Sequence, residues 1–324
     1  MYSWGSGTED WARPGAYRWD EERSAARGAD AAAAAARGGR AYGRRTRPDA
    51  EVTDPRKRIV TASANPLIVA VDVTGSMASW PFEIFDRLPL LYQTLSQYRP
   101  DLEVSFAAIG DAYCDRWPLQ VTGFAKGIEL DDKLTALYGE GGGGDMPESY
   151  QLFAHWVNER VATPGAPGDG PDGGRDKPFL VVFGDAPFHP RVTPKEAREV
   201  LGLDLAQPVD GIEAWRALAR RFDAWFLRRP GGRKGDETHA QWAQALGEQR
   251  IVTLEDEARA VDYAMGLIAR SWGRFDDFTQ NLSARQEERT VKAVANSVLS
   301  LEVDEPRKPA RRAPRDVPDT RPTA

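Results

Sequence analysis

The sequence predicts an α/β fold: a doubly wound, mostly parallel central sheet with helices on both faces, flanked by disordered tails. Three observations lead to this prediction. Short continuous apolar runs, such as PLIVAVD (66–72) and KPFLVVFGD (177–185), are typical of strands that are covered on both faces. The longer segments between such runs place apolar residues at helical spacing. The alternation of strand and helix then repeats through residues 61–274, as expected of a parallel sheet.

The first 60 residues have the composition of a tail. The stretch RGADAAAAAARGGRAYGRRTRP (27–48) surrounds one alanine run with glycine and arginine, and it offers little apolar surface for burial. We therefore expect residues 1–60 to form a low-complexity, basic and disordered N-terminal tail.

The first half of the domain leads from a buried strand to a glycine-rich loop. Pro89 lies inside the first helical segment, where a kink or a break is expected because proline removes a backbone donor. The predicted elements are a strand at 66–72, a helix at about 82–98, a strand at 103–111, an edge strand at 117–124, a short helix at 130–139, the loop GEGGGGDMPES and a helix at 149–161.

The second half repeats the pattern and ends in a second tail. Thr193 is the expected cap of a helix that has Pro194 in its first turn. Residues 275–302 predict one additional C-terminal helix, and residues 303–324 predict a disordered tail rich in proline and arginine. The other predicted elements are strands at 177–185, 222–230 and 249–256, and helices at 193–202, 211–222, 237–248 and 257–273.

Composition narrows the class of protein. The chain of 324 residues has a formal net charge of −6, which disfavours nucleic acid as the main partner. Its single cysteine, Cys114, leaves no intrachain disulfide, and this fits a reducing compartment. The N-terminus lacks the pattern of a secretory signal, and no apolar run approaches the ~18 residues that a membrane span needs. We expect a soluble, cytoplasmic protein without a membrane partner.

Polar oxygen donors follow the predicted strands at the same edge of the sheet. Asp72 ends the first strand, and Thr74 and Ser76 follow at alternate positions around a glycine. Asp185 ends a second apolar run, and a run of four glycines places Asp145 in a loop near the same crevice. Hard cations such as Mg²⁺ take oxygen ligands, and no nitrogen or sulfur donors cluster here. The pattern therefore indicates a divalent-cation site.

These residues resemble the von Willebrand factor A (vWA) domain family, whose sheet is Rossmann-like. The metal-ion-dependent adhesion site (MIDAS) of that family uses D-x-S-x-S after a strand, a loop threonine or acid, and a later aspartate. Asp72, Thr74 and Ser76 match the first element, with threonine in place of the first serine, and Asp185 matches the last. Three elements in order, spread over most of residues 61–274, are a more specific signal than one D-x-T-x-S alone.

The middle element departs from the commonest family pattern. Where most members have threonine, this chain has Gly-Gly-Asp145-Met-Pro-Glu148, which resembles the acidic G-G-D-x-P-E loop of some members. The resemblance assigns Asp145 as the loop ligand, with Glu148 as the competing assignment. An added carboxylate makes the site more negative, which strengthens cation binding and weakens attraction for an anionic partner.

The resemblance implies a metal-dependent protein-binding module without catalytic activity. In the family, Mg²⁺ or Mn²⁺ keeps one open coordination position, which a Glu or Asp carboxylate of a partner protein fills. Stand-alone cytoplasmic bacterial members often work as adaptors or scaffolds with an AAA+ ATPase of the MoxR type. The sequence contains no ATPase motif of its own, so this role would take its energy from that partner.

Two alternative functions remain open at this stage. In the first, the chain is a Mg²⁺-dependent phosphohydrolase with Asp72 as the nucleophile, although Thr74 stands where such enzymes carry a second aspartate. In the second, it is a structural subunit of a larger assembly with a vestigial metal site. Two further residues near the predicted site, Trp80 and His189, are candidates for partner contact, and packing or loop hydrogen bonding is the alternative for each.

Overall fold

The computed structural model describes most of the predicted domain and little of the two tails. The predicted tails, residues 1–60 and 303–324, lie largely outside the described residues, as does Asp145. The described ranges are 47–142, 147–164, 177–230 and 235–303, together with the backbone of Arg40–Ala41.

Among the described residues, six strands form one mixed, mostly parallel sheet. Its order is β12-β11-β8-β3-β4-β5, and only the edge pair β4–β5 is antiparallel. The α/β class that the sequence predicts is therefore confirmed. The strands are β1 (Arg40–Ala41), β2 (Ile59–Val60), β3 (Pro66–Asp72), β4 (Glu103–Ile109), β5 (Leu119–Val121), β6 (Tyr138–Gly139), β7 (Val161–Ala162), β8 (Phe179–Gly184), β9 (Arg191–Val192), β10 (Val209–Asp210), β11 (Asp223–Arg228) and β12 (Ile251–Thr253).

Helices connect the strands of the sheet. Thr193 caps α4 with its hydroxyl and forms a reciprocal capping box with Glu196, as the sequence predicts for the cap. The helices are α1 (Trp80–Tyr98), α2 (Glu129–Thr135), α3 (Tyr150–Arg160), α4 (Pro194–Glu196), α5 (Gly211–Arg221), α6 (Gly235–Leu246), α7 (Ala260–Ser271), α8 (Phe275–Ser283) and α9 (Glu288–Leu299).

Two hydrophobic cores lie on opposite faces of the sheet. Alternate residues of β3 enter each of them: Val69 and Val71 pack into one core, and Ile68 and Ala70 into the other. The first core contains side chains of α1, α7, α8 and α9, and the second contains those of α3, α5 and α6. Because both faces are covered, β3 is buried along its whole length, and its polar terminal residue is held inside the protein.

The sequence predicts a kink or a break at Pro89, and the helix α1 continues through this residue without a break. Proline removes one intrahelical hydrogen bond, but Pro89 and its neighbours Leu88 and Leu90 are buried. Tertiary packing of this apolar face, rather than local propensity, therefore maintains the helix.

The segment predicted as one C-terminal helix consists of two helices, α8 and α9, and both pack onto the domain. Phe278 of α8 and Val298 of α9 are fully buried beside Gly266 of α7. A Cβ atom at Gly266 would lie 3.0 Å from Phe278 and 3.1 Å from Val298, so the glycine permits this close approach. The pair of helices completes the first core.

Part of the predicted N-terminal tail is folded against the domain. The Val121 amide donates to the Thr53 carbonyl oxygen, and the Asp49 amide donates to the Ala136 carbonyl oxygen. The strand β2 pairs in parallel with β7, which follows α3. The ordered domain thus begins before residue 61.

No helix in the described ranges is both long enough and apolar enough to span a bilayer.

Candidate metal centre

The two aspartates that end β3 and β8 leave neighbouring parallel strands at the same edge of the sheet. Asp72 is the last residue of β3, and Asp185 directly follows Gly184 at the end of β8. The chain order of the strands reverses between them, because β4 lies on one side of β3 and β8 on the other. In open α/β sheets such a reversal creates a crevice at the carboxyl ends of the strands, where ligands bind.

The loop after β3 turns two hydroxyl groups toward these carboxylates. The Thr74 amide and hydroxyl both donate to Asp72 Oδ1, at 2.8 Å and 2.6 Å. The Ser76 hydroxyl donates to Asp185 Oδ1 at 2.9 Å across a sequence separation of 109 residues. The two hydroxyl oxygens lie 3.4 Å apart. Four of the six predicted site residues therefore form one connected cluster.

Glu148 joins this cluster from the loop before α3. Its residue is only 3% exposed, and its Oε2 atom has no hydrogen-bond partner. The Glu148 amide donates to the Pro187 carbonyl oxygen at 2.9 Å, and the His189 amide donates to the Glu148 carbonyl oxygen at 3.3 Å. These backbone contacts hold the loop against the segment that follows Asp185. Asp145, which the resemblance assigns as the loop ligand, lies outside the described residues.

The glycine loop contacts the loop that carries Thr74 and Ser76. The Gly75 amide donates to the Gly142 carbonyl oxygen at 2.6 Å, and the Gly141 amide donates to the Val73 carbonyl oxygen at 3.2 Å. A Cβ atom at Gly75 would lie 2.9 Å from the Gly142 oxygen, and Gly141 has a φ of +69°. Glycine at these positions permits the close approach of the two backbones.

The three carboxyl groups repel one another inside the protein. Burial, and then the charge of Asp185, raise the pKa of Asp72 to about 7. Burial, followed by the charges of Asp72 and Asp111, raises the pKa of Glu148 to about 10. Burial also raises the pKa of Asp185. Such shifts arise where carboxylates are desolvated together without a compensating cation, so an added positive charge would stabilise all three ionised forms.

Arg229 brings a positive charge to one side of the cluster. Its guanidinium donates to the Ser76 carbonyl oxygen at 3.0 Å and pairs with the Glu257 carboxylate at 2.5 Å. The charge of Arg229 lowers the pKa of Asp185, but burial outweighs this effect. The arginine therefore anchors the Ser76 loop without neutralising the site.

Sequence reasoning missed Asp111 and Tyr150, which lie beside the cluster. Asp111 Oδ1 contacts His189 Nε2 at 2.8 Å, and the Tyr150 hydroxyl donates to Asp72 Oδ2 at 2.5 Å. Burial alone would raise the pKa of Asp111, but hydrogen bonds from His189 and Cys114 outweigh it and the pKa is lowered. The run EVSFAAIGD ends in Gly-Asp like the run before Asp185, so the same rule applies to Asp111. Tyr150 follows no comparable pattern.

The structure also places the two residues that the sequence associates with partner contact. Trp80 is 1% exposed within the first core, and its ring nitrogen donates to the Glu257 carbonyl oxygen. His189 is 7% exposed and is held by Asp111, so both side chains are mainly structural. Tyr113 packs on the His189 ring at 4.5 Å and is 58% exposed.

The donors fit a hard divalent cation. They are two hydroxyl oxygens and carboxylate oxygens, which Mg²⁺ and Mn²⁺ prefer. Glu148 Oε2 is an orphaned buried acceptor, which a cation would satisfy. Within the described ranges, no group of three or more His, Cys, Asp or Glu side chains is arranged to hold a metal ion. A site here therefore depends on the hydroxyl groups of Thr74 and Ser76 as well as on carboxylates.

No protein-family model and no curated protein matches the sequence. Among solved structures it resembles the pilus adhesin SpaC from Lactobacillus rhamnosus GG, at 9% identity and a TM-score of 0.43, over 68% of this chain and 32% of that chain. It also resembles proximal thread matrix protein 1 from the mussel byssus, at 11% identity and a TM-score of 0.45, over 67% of this chain and 49% of that chain. The chain thus spans a third to a half of these proteins. Likeness at this level assigns neither family nor function.

Proposed function

We propose that the chain is a metal-dependent protein-binding module of the vWA type, which binds Mg²⁺ or Mn²⁺ at a MIDAS-like site. One observation carries the proposal: the hydroxyl of Ser76 and the carboxylate of Asp185, from distant parts of the chain, meet at 2.9 Å. Glu148, whose pKa is raised in part by the charge of Asp72, adds a buried carboxylate oxygen that has no partner. The strand order, with its reversal between β3 and β8, supports a doubly wound, Rossmann-like arrangement around this point.

We infer a role for each side chain from its hydrogen bonds. A hydroxyl oxygen binds a cation through its lone pairs, so its proton must be donated elsewhere. Asp72 accepts the Thr74 proton and Asp185 accepts the Ser76 proton. Thr74 and Ser76 would then bind the cation, with Glu148 or Asp145 as the loop ligand. Asp72 and Asp185 would orient the hydroxyls and supply negative charge.

The partner that fits this site is a protein that offers a Glu or Asp carboxylate. A divalent cation that is desolvated on one side attracts an incoming anion, and the nearby Arg229 guanidinium adds to this attraction. By resemblance, an adaptor or scaffold role beside a MoxR-type AAA+ ATPase belongs to this proposal. The proposal also includes a cytoplasmic location and the absence of catalytic activity in this chain.

The alternative of a phosphohydrolase has less support. A nucleophilic Asp72 would need an accessible carboxylate oxygen, but Asp72 is fully buried. Its Oδ1 accepts two hydrogen bonds from Thr74, and its Oδ2 accepts one from Tyr150. The alternative of a structural subunit with a vestigial metal site predicts that association survives when the cation is removed.

A metal titration of thermal stability tests the proposal. Mg²⁺ or Mn²⁺ is expected to raise the Tm of the wild type by binding linkage, and Asp72→Ala and Asp72→Asn are expected to abolish the rise. Asp101 lies before the amino end of β4, away from the site, so Asp101→Asn should keep the full rise in Tm. An equal rise in the wild type and in both Asp72 variants would refute the site.

Two further measurements separate the alternatives. Turnover of a generic phosphoester in the presence of Mg²⁺ would support the phosphohydrolase. Capture of a protein partner that is lost on addition of a chelator, and lost in Asp72→Ala, supports the binding module. Capture that persists in Asp72→Ala would favour the structural subunit.

A further inference from the structure

Tyr150 reaches the candidate metal centre from the second core. It is the first residue of α3 and is fully buried. Its hydroxyl donates to Asp72 Oδ2 at 2.5 Å, while Thr74 occupies Asp72 Oδ1. Both oxygens of the Asp72 carboxylate are therefore held by protein donors, and this fixes the plane of the carboxylate.

The surroundings of Tyr150 hold its hydroxyl at this position. Its ring packs edge-on against Trp242, with centroids 5.3 Å apart, and against Phe226, with centroids 6.1 Å apart. A Cβ atom at Gly184 would lie 2.1 Å from the Tyr150 hydroxyl oxygen, so only glycine leaves room for it. The end of β8 therefore supplies the space through which the hydroxyl reaches Asp72.

We propose that Tyr150 is a positioning residue for cation binding: it holds Asp72 so that Oδ1 takes the Thr74 proton and leaves the Thr74 lone pairs for the cation. This inference rests on the proposed function and deepens it. Tyr150 itself is not assigned as a ligand, because it is fully buried in the second core and its hydroxyl meets Asp72 at Oδ2, whereas Thr74 meets it at Oδ1. Its effect on the cation passes through Asp72 and Thr74.

The test compares Tyr150→Phe with the wild type in a calorimetric titration with Mg²⁺ alone at 25 °C. Loss of a residue that hydrogen-bonds a metal ligand commonly weakens metal affinity about 10- to 100-fold. Tyr150 acts one residue further away, through Asp72, so the low end of this range, a Kd about tenfold higher, is expected. Tyr263→Phe is the matched control, because Tyr263 is equally buried but lies in the core on the opposite face of the sheet. It should bind Mg²⁺ like the wild type.

A merely structural role is distinguished by the metal dependence. In that case Tyr150→Phe would lower the Tm equally with and without Mg²⁺, and its Kd for Mg²⁺ would equal that of the wild type; this result overturns the inference and leaves the proposed function intact. A wild type that binds no Mg²⁺ overturns both. A smaller Mg²⁺-induced rise in Tm for Tyr150→Phe, together with the weaker Kd, supports the inference.

A measurement on the wild type decides the question if Tyr150→Phe does not fold. In protein labelled with ¹³C at tyrosine Cζ, the Tyr150 resonance is expected to be the one that Asp72→Asn shifts, because the hydroxyl contacts that carboxylate. Mg²⁺ should shift the same resonance in the wild type. Binding of Mg²⁺ without any shift of this resonance would overturn the inference.

Discussion

The two ends of the central strands hold carboxylates in opposite ways. At the amino ends, before β4, the Asp101 carboxylate accepts hydrogen bonds from the Ala64 amide at 3.0 Å and from the Asn65 side chain at 2.7 Å, and Asp101 is exposed. At the carboxyl ends, Asp72 and Glu148 are both buried, the charge of Asp72 acts on Glu148, and one Glu148 oxygen has no partner.

The two ends differ in whether their carboxylates are satisfied within the protein. Asp101 is satisfied by neutral donors and by water, so the amino end needs nothing from outside the chain. The carboxyl end concentrates negative charge in a desolvated place, and folding alone raises the pKa values of Asp72 and Glu148. A fold keeps such an arrangement most readily when a ligand of opposite charge completes it.

The largest expected effect comes from Glu148→Gln, which replaces a buried carboxyl group at the carboxyl end with an amide. Glutamine resembles the protonated side chain in shape, so the metal-free protein should fold with a Tm equal to or above that of the wild type. If Glu148 is the loop ligand, its loss should weaken Mg²⁺ binding about 100-fold, or about 2.7 kcal/mol. Calorimetric titration with Mg²⁺ measures the change.

A matched variant, Asp145→Asn, separates the two candidate loop ligands. If Glu148 is the ligand, this variant should bind Mg²⁺ almost like the wild type. The reverse result, strong weakening by Asp145→Asn and little by Glu148→Gln, would identify Asp145 as the loop ligand, as the resemblance implies.

The next expected effect is a pH dependence of stability that arises at the carboxyl end. The pKa of Asp72 is raised from 3.8 to about 7 on folding, so the folded chain keeps a proton that the unfolded chain has lost. Stability without metal should therefore fall as pH rises from about 4 through 7, by up to about 1.4 kcal/mol per pH unit for this proton. Stabilisation by Mg²⁺ should grow over the same window, because the bound cation favours the ionised carboxylates.

Urea unfolding between about pH 5.5 and 7.5, with and without Mg²⁺, measures this dependence. Asp72→Asn should flatten the curve that is measured without metal. A wild type whose metal-free stability rises through this window would contradict the electrostatic account of the site.

A smaller effect is expected from Gly75→Ala, which separates the two loops of the carboxyl end. The new Cβ atom would lie 2.9 Å from the Gly142 carbonyl oxygen, and relief of this overlap should cost about 1–2 kcal/mol of stability. Because Thr74 and Ser76 flank Gly75, the Mg²⁺ affinity should also fall several-fold. Gly123→Ala is the control, since a Cβ atom there has nothing within 4 Å, and equal effects of the two variants would refute the loop contact.

Sequence reasoning predicts the fold where the signal is local and periodic. The runs before Asp72 and Asp185 are apolar because both faces of their strands are covered, and the structure has strands at both places. The same reasoning expects a kink or a break at Pro89 and one helix over 275–302, whereas the structure has no break at Pro89 and two helices over 275–302. Burial of α1 and the docking of α8 and α9 around Gly266 are tertiary effects that no local pattern records.

The candidate site likewise combines residues that a local pattern predicts with contacts that depend on tertiary packing. Asp72, Thr74, Ser76 and Asp185 follow strand ends, where the edge of a parallel sheet brings them together. Glu148 and Tyr150 reach the cluster through tertiary packing: one by backbone pairing with the loop after β8, the other through the space left by Gly184. Spacing along the chain encodes neither contact. The strand pattern therefore predicts the residues at strand ends, the resemblance to an acidic G-G-D-x-P-E loop adds Glu148 as a candidate, and neither points to Tyr150.

The smallest expected effect is at the amino end, and it completes the comparison. Asp101→Asn weakens two hydrogen bonds to an exposed carboxylate, so the free energy of unfolding should fall by about 1 kcal/mol or less, equally with and without Mg²⁺. Denaturant unfolding in both conditions measures this, and the Mg²⁺ affinity should be that of the wild type. A selective loss of Mg²⁺ binding in Asp101→Asn would mean that the two ends are coupled through the strands. The contrast between an amino end that is satisfied within the chain and a carboxyl end that requires a ligand would then no longer hold.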